Sequence, residues 1–164
     1  MATTPLGVVS LPILRMRELL SKTAEVQSWL SAVEAVALPL IYGVSSSVLT
    51  VTDETPQIIV THGMTHGRRA RQGAVNNIEP GGTLRVSFRA LANEEAEELE
   101  QYDFTNHIGA IIEEVFELGS TGGLLQITSY RAITPPQLTP LREQDARARE
   151  ITQVIEFSYE GGLF

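Results

Sequence analysis

The chain has 164 residues, of which 43% are hydrophobic and 20% charged, a balance typical of a soluble globular protein. Its net charge of −8 disfavours nucleic-acid wrapping as the main role, and also adhesion to anionic membranes. The absence of cysteine excludes disulfides and thiolate metal sites. No apolar run approaches the roughly 20 residues of a membrane-spanning helix, and Met1–Ser10 lacks the basic start of a signal peptide. We therefore expect a soluble protein made in the cytoplasm.

The first quarter of the chain is predicted to be helical after a loose arm over residues 1–10. Apolar residues at the spacing i, i+3, i+4 and i+7 form one helical stripe, made by Val26, Trp29, Leu30 and Val33. We expect two short helices, or one bent helix, over Leu11–Ala37, ended by Pro39.

Three apolar and β-branched runs, Leu40–Val44, Val48–Thr52 and Gln57–His62, follow as predicted strands. The third is apolar on both faces, which is typical of a central strand. The glycine-rich stretch 63–82 is interpreted as a long loop, and loops of that length are usually functional or disordered. Strict alternation over Thr83–Ala90 then predicts a half-buried strand.

The second half of the chain has the clearest pattern. An apolar stripe predicts a helix over Phe104–Leu118, with Gly119 as its end. Strands are predicted over Leu124–Ile133 and Ile151–Tyr159, separated by a second long loop over residues 134–149 that contains three prolines. The expected architecture is a single α+β domain over the whole chain: a mostly antiparallel sheet packed against one long helix, with an N-terminal helical segment.

The sequence offers no set of residues that predicts catalysis. It has no nucleophile elbow, P-loop or dinucleotide fingerprint. His62 and His66 have a spacing that suits a metal on a helix, but here they straddle a strand end and a loop. We therefore expect no metal, no cofactor and no catalytic residue. An enzyme would need a deep pocket that holds His62, His66 or His107 beside a buried carboxylate.

Two charged clusters are the candidate interaction residues. Arg68, Arg69 and Arg71 form the only basic cluster, in the predicted loop, where they either contact phosphate or an acidic neighbour or are simply solvated. An acidic cluster precedes the long helix and is either a solvated face or a patch that faces a partner; its candidate residues are Glu94, Glu95, Glu97 and Glu98. The partner of the arginines is left open between a neighbouring subunit and DNA.

The order of elements resembles the tail-terminator and neck proteins of tailed bacteriophages, over about Leu11–Gly161. The resemblance is one of pattern and not of a signature motif. The segments that carry it are Leu14-Arg-Met-Arg-Glu-Leu-Leu, Val26-Gln-Ser-Trp-Leu, Gln57-Ile-Ile-Val, Gly81-Gly-Thr-Leu-Arg-Val-Ser-Phe, His107-Ile-Gly-Ala-Ile-Ile-Glu-Glu-Val and Val154-Ile-Glu-Phe-Ser-Tyr-Glu-Gly.

The resemblance implies a structural virion protein without catalytic residues. Such proteins form hexameric rings at the head-proximal end of the tail, cap the tail tube and join it to the neck or connector, and their long loops and sheet edges contact neighbouring subunits. The implied partners are further copies of the chain, the tail tube protein, a connector protein and DNA in the channel, with no membrane. A head-side neck adaptor, a head-completion protein and a cellular module that binds a peptide at a sheet edge stay open as alternatives.

Overall fold

The computed structural model describes residues 10–31, 41–42, 56–69, 78–93, 97–120, 125–140 and 148–160. Within these residues the helices are α1 (Ser10–Lys22), α2 (Ala24–Leu30) and α3 (Glu97–Ser120). The strands are β1 (Ile41–Tyr42), β2 (Gln57–Arg69), β3 (Ile78–Asn93), β4 (Ile127–Ala132), β5 (Gln137–Pro140) and β6 (Ala148–Glu160).

The strands form one sheet in the order β1-β2-β3-β6-β4, and β5 pairs with β6 beside β4. Every pairing is antiparallel except that of β1 with β2. The predicted α+β class, with its mostly antiparallel sheet, one long helix and N-terminal helical segment, is confirmed. The strands predicted at Gln57–His62, Thr83–Ala90 and Ile151–Tyr159 lie in β2, β3 and β6, and β2 is an interior strand as expected.

The apolar core lies between one face of this sheet and the helices. Val86 is opposite Ile155 and Leu84 is opposite Phe157 in the β3–β6 pair, and all four side chains are buried. The stripe predicted for the long helix supplies the facing layer through Phe104, Ile108, Ile111 and Val115, which are also buried. Burying one such side chain contributes roughly 1.5–3 kcal/mol, so these facing rows hold the helix on the sheet.

Trp29 links three elements of the core. Its ring meets Phe88 of β3 at a centroid distance of 5.9 Å and Phe104 of α3 at 6.1 Å, both in edge-on arrangements. Edge-on aromatic pairs at these distances are favourable beyond the apolar area that they bury. The predicted stripe of the N-terminal segment therefore packs α2 against both the sheet and the long helix.

The N-terminal segment is two helices that break at Thr23. The Thr23 backbone is extended, and its hydroxyl donates to the Leu19 carbonyl at 2.9 Å, which closes α1. Helix α2 ends at Leu30, within the predicted helical segment Leu11–Ala37. Ser31 adopts a left-handed conformation (φ 53°, ψ 41°) and its N–H caps the helix. Residues 32–40, including Pro39, lie outside the described residues.

A carboxylate from the long helix caps α2. The backbone N–H groups of Ala24 and Glu25 donate to the two carboxylate oxygens of Glu114 at 2.9 and 3.0 Å. These are donors that the first turn of a helix leaves without intrahelical partners, and a negative charge is favourable there. Glu114, which the sequence places on the polar side of α3, therefore fastens α2 to α3.

The loop predicted over residues 63–82 is largely wrong, because β2 continues to Arg69 and β3 begins at Ile78. The glycines suggested a break, but Gly63 lies at a β-bulge between His62 and Thr65. A Cβ atom there would stand 2.3 Å from the Thr83 hydroxyl oxygen of the next strand. A glycine inside a strand thus marks close approach of a neighbour and not the end of the strand. Residues 70–77 lie outside the described residues.

The loop predicted over residues 134–149 is also partly wrong, since β5 and the first residues of β6 fall inside it. Proline is tolerated in β5 because this short strand pairs on one side only, with β6. The strand predicted at Leu124–Ile133 is confirmed as β4, which is shorter than predicted. The strand predicted at Leu40–Val44 is confirmed as β1, of which two residues are described. The arm predicted over residues 1–10 is shorter by one residue, because Ser10 begins α1; residues 1–9 and the strand predicted at Val48–Thr52 lie outside the described residues.

Gly119 does not end the long helix, which runs one residue further to Ser120. A Cβ atom at Gly119 would stand 2.4 Å from Ile127 Cγ1 and 2.9 Å from Ile127 Cβ. The glycine therefore allows the last turn of α3 to lie directly on the first residue of β4. Gly109, in the middle of the same helix, is the opposite case, because a Cβ atom there would meet nothing within 4 Å.

Replacing Glu114 with alanine should lower the free energy of unfolding by about 1 kcal/mol, the usual cost of losing a helix cap. Glu117→Ala is the matched control, because Glu117 is an exposed carboxylate on the same helix. Urea unfolding followed by circular dichroism measures both. Equal losses in the two variants would contradict the capping role.

Alanine at the two helical glycines should have opposite effects. Gly109→Ala should raise the free energy of unfolding by roughly 0.5–1 kcal/mol, since an exposed helical glycine is less favourable than alanine. Gly119→Ala should lower it by roughly 1–3 kcal/mol, the range for forcing extra volume into a packed site. Thermal unfolding of the two variants measures both changes. An increase in the free energy of unfolding from both substitutions would rule out the close contact with Ile127.

Candidate interaction surfaces

The β2–β3 hairpin extends past the rest of the sheet. The β3–β6 ladder reaches Gly81, which is opposite Glu160. Beyond it β2 and β3 continue as a two-stranded ribbon, with Gly67 opposite Pro80, Arg68 opposite Glu79, and Arg69 opposite Ile78. These three pairs span about 10 Å at the usual rise per residue. Among the described strands none flanks them, and an isolated two-stranded ribbon is only marginally stable in water.

The ribbon has the opposite charge to the long helix. The sequence from Thr65 to Pro80 contains three arginines and one glutamate, and no lysine or aspartate. Helix α3 contains no lysine or arginine. Its carboxylates are Glu97, Glu98, Glu100, Asp103, Glu113, Glu114 and Glu117. One chain thus presents a basic projection and an acidic helix.

Two large apolar side chains are exposed among the carboxylates near the start of α3. Leu99 is 69% exposed and Tyr102, one turn later, is 59% exposed. Further along the helix, an open hollow of about 520 Å³ lies over Gly109 and Ala110, bounded by Glu113 and by Tyr130 of β4. Tyr130 itself is 47% exposed. Exposed tyrosines around a concave surface are typical of protein interfaces.

The sheet face that turns away from the core carries ion pairs. Arg89 of β3 contacts Glu150 of β6 through two bonds, Nε to Oε1 at 2.5 Å and Nη2 to Oε2 at 3.2 Å. Both side chains are about nine-tenths buried, at 12% and 10% exposure. Such a fork-on-fork pair is strong and directional. It therefore fixes β3 against β6 on the face opposite the apolar core.

A second carboxylate on that face joins three strands. Glu156 of β6 contacts Arg131 of β4 at 2.8 Å and Arg85 of β3 at 3.5 Å. The glutamate side chain is 9% exposed, but the arginines are 74% and 52% exposed. The alternation over Thr83–Ala90 predicted a polar outer face for β3, but sequence reasoning missed both glutamates of β6. Their alternation with Ile151 and Ile155 was the available signal, and the strand register is needed to pair them with the arginines.

The candidate residues from the sequence lie on separate elements. Arg68 and Arg69 are the last two residues of β2, on the ribbon, whereas Arg71 lies outside the described residues. Glu97 is the first residue of α3, and Glu98 is exposed and accepts a hydrogen bond from the Tyr102 hydroxyl at 3.2 Å. Glu94 and Glu95 also lie outside the described residues. The structure therefore places the arginine pair on the hairpin and the acidic pair on the helix.

The two spaced histidines lie on a strand and not on a helix. His62 and His66 both belong to β2, with a β-bulge between His62 and Thr65, so the helical spacing that suits a shared metal does not apply to them. His107 is exposed on α3. Over the described ranges, no three His, Asp or Glu side chains are grouped as metal ligands. Among the helices that the structure describes, none combines the length and apolarity needed to cross a membrane.

Comparison with solved structures finds chains that are similar to this one. A chain from a solved structure titled "Virion of native gene transfer agent (GTA) particle" is similar to this chain with a TM-score of 0.40 and 10% sequence identity. The match covers 97% of this chain and 100% of the other. No family model matches the sequence, and no curated protein matches it. At this TM-score the likeness carries no functional argument for this chain.

Breaking the Arg89–Glu150 pair should destabilise the protein strongly. Arg89→Met leaves a buried carboxylate without its partner and should lower the free energy of unfolding by roughly 3 kcal/mol. Arg131→Met is the matched control, because that arginine is exposed and Glu156 keeps Arg85; it should cost at most about 1 kcal/mol. Chemical unfolding of both variants measures the two losses in the free energy of unfolding. Similar losses would show that the buried Arg89–Glu150 pair stabilises the protein no more than an exposed ion pair does.

Proposed function

We propose that this chain is a structural protein of a tailed-phage-like virion, a tail terminator that forms a ring at the head-proximal end of the tail and joins the tail tube to the neck. The proposal rests on the sequence resemblance described above and on the fold that the resemblance implies. One observation carries it: the basic β2–β3 ribbon projects beyond the sheet, which is what a subunit needs to contact its neighbour.

Assembly explains features that a chemical reaction does not. On the described sheet, Arg89 pairs with Glu150, and Arg85 and Arg131 pair with Glu156. We propose that the protein is not an enzyme and that the charges of the ribbon and of α3 serve contacts between chains. Complementary charges across an interface fix its register and suppress wrong partners.

The partner of the arginines separates two versions of the proposal. In the first, the ribbon contacts an acidic surface of a neighbouring subunit. In the second, it faces DNA in the channel of the ring. The first version is favoured because α3 supplies seven carboxylates on the same chain, so that every copy brings both halves of the contact. Further partners are the tail tube protein and a neck or connector protein.

The edge of the sheet favours a second candidate function, a module that binds a peptide or a partner helix. Strand β4 is the last strand of the main path, and its residues after Ile127 are exposed. An added strand would find an open ladder there. A head-side neck adaptor is the nearer alternative, and it differs from the terminator in binding connectors and not tail tubes.

Replacing Arg68, Arg69 and Arg71 together with alanine should impair the joining of heads to tails and leave the monomer folded. The matched control is the triple lysine variant, which keeps the charge. Negative-stain images of purified tail tubes mixed with each protein give the measurement, with circular dichroism as the check of folding. Rings at tube ends are expected for the wild type and the lysine variant.

Three results bear against the proposal in different ways. If the alanine variant forms normal rings and joins heads to tails normally, the ribbon does not make the contact that the proposal assigns to it. Binding of the wild type to connectors but never to tubes would support the neck adaptor instead. A monomer that ignores both, yet captures an extended peptide, would support the binding module.

A further inference from the structure

The long helix has a side that no described element covers. Leu99 and Tyr102 stand out from it, and the hollow over Gly109 and Ala110 follows on the same solvent side, with Tyr130 as its far wall. Exposed apolar surface that continues into a concave region and is rimmed by polar residues is typical of an interaction site. We name this surface the helix groove, made by Leu99, Tyr102, Gly109, Ala110, Glu113 and Tyr130.

The charge of the helix groove selects its occupant. Glu98 is exposed at the start of the groove and Glu113 at its far end, and α3 contains no lysine or arginine. The complementary element in this chain is the ribbon, because the sequence from Thr65 to Pro80 has a net charge of +2, from three arginines and one glutamate. A two-stranded ribbon of this charge, which none of the described strands flanks, gains favourable electrostatics and apolar cover in such a groove.

We propose that the helix groove of one copy receives the β2–β3 ribbon of a second copy. This inference rests on the proposed function and deepens it, because it names the surfaces that join neighbouring subunits. The contact is heterologous: each copy offers its ribbon to one neighbour and its groove to the other. A heterologous contact repeats around a ring when the rotation closes, and in an open helix when it does not.

The arrangement also accounts for Gly109 within a long helix. Glycine weakens a helix interior, and here the structure shows no neighbour that requires it. Its lack of a side chain opens the floor of the groove. A longer side chain at this position would fill the hollow without touching the core, because a Cβ atom there meets open space.

Cross-linking tests the contact directly, because the chain contains no cysteine of its own. One sample carries Ile78→Cys on the ribbon and a second carries Ala110→Cys in the groove. Mixed under mild oxidation, they should yield predominantly the disulfide dimer that joins one of each. The control replaces Ala110→Cys by Thr152→Cys, on the opposite face of the sheet, and should give at least about tenfold less mixed dimer. Equal yields in the two mixtures would overturn the proposal.

Two further sets of variants test the contact through a different measurement, the self-association of the protein. Gly109→Gln keeps good helix propensity, fills the hollow, and should weaken self-association by about tenfold or more, with unchanged circular dichroism. The double variant Arg68→Glu, Arg69→Glu should fail to associate with itself. It should associate again when mixed with the double variant Glu98→Arg, Glu113→Arg. Absence of both effects would overturn the docking site.

The two proposals fail in distinguishable ways. Rings that form normally with Gly109→Gln, and no mixed disulfide, would reject the helix groove as the acceptor and leave the ring-forming function standing. A wild-type protein that forms no rings at any concentration, together with cysteine variants that give no mixed disulfide, would reject the function and the inference together.

Discussion

The register of β3 against β6 is the constraint on which the rest of the structure depends. Thirteen residue pairs, from Gly81 with Glu160 to Asn93 with Ala148, set which side chains face the helices. In this register Val86 and Ile155 lie on the core face, and the Arg89–Glu150 pair lies on the opposite face. A slip of one residue would place charged groups against α3 and apolar groups in solvent. The apolar rows and the ion pairs therefore favour the same register.

The helices depend on that register in turn. Helix α3 lies on the apolar face along the rows of β3 and β6, and its end fits against Ile127 only because Gly119 has no side chain. Helix α2 is held from both sides, by the ring of Trp29 in the core and by Glu114 at its start. A helix of seven residues is too short to be stable alone, so α2 exists because α3 and the sheet place these contacts around it.

The sequence predicted the elements whose pattern is local. Alternation in Thr83–Ala90 and the stripe from Phe104 to Val115 depend only on period, and both appear in the structure as predicted. The failures share one physical cause, which is that glycine and proline act through neighbours distant in sequence. Gly63 allows a bulge beside Thr83, and Pro140 ends a strand with one free side. Likewise, Glu150 and Glu156 are recognisable as a site only after the strands are paired. The ribbon could not be predicted, since its glycines indicate a loop when read alone.

Assembly between copies, as proposed above, uses the opposite charges of two parts of one chain. The sequence from Thr65 to Pro80 has a net charge of +2, and helix α3 contains seven carboxylates and no lysine or arginine. Light scattering over a range of protein concentrations, at low and at high salt, tests this claim most directly. The account predicts a mass that rises toward about six times the 17.9 kDa chain at low salt and falls as salt screens the contact. A mass of 17.9 kDa at every concentration and salt would contradict it.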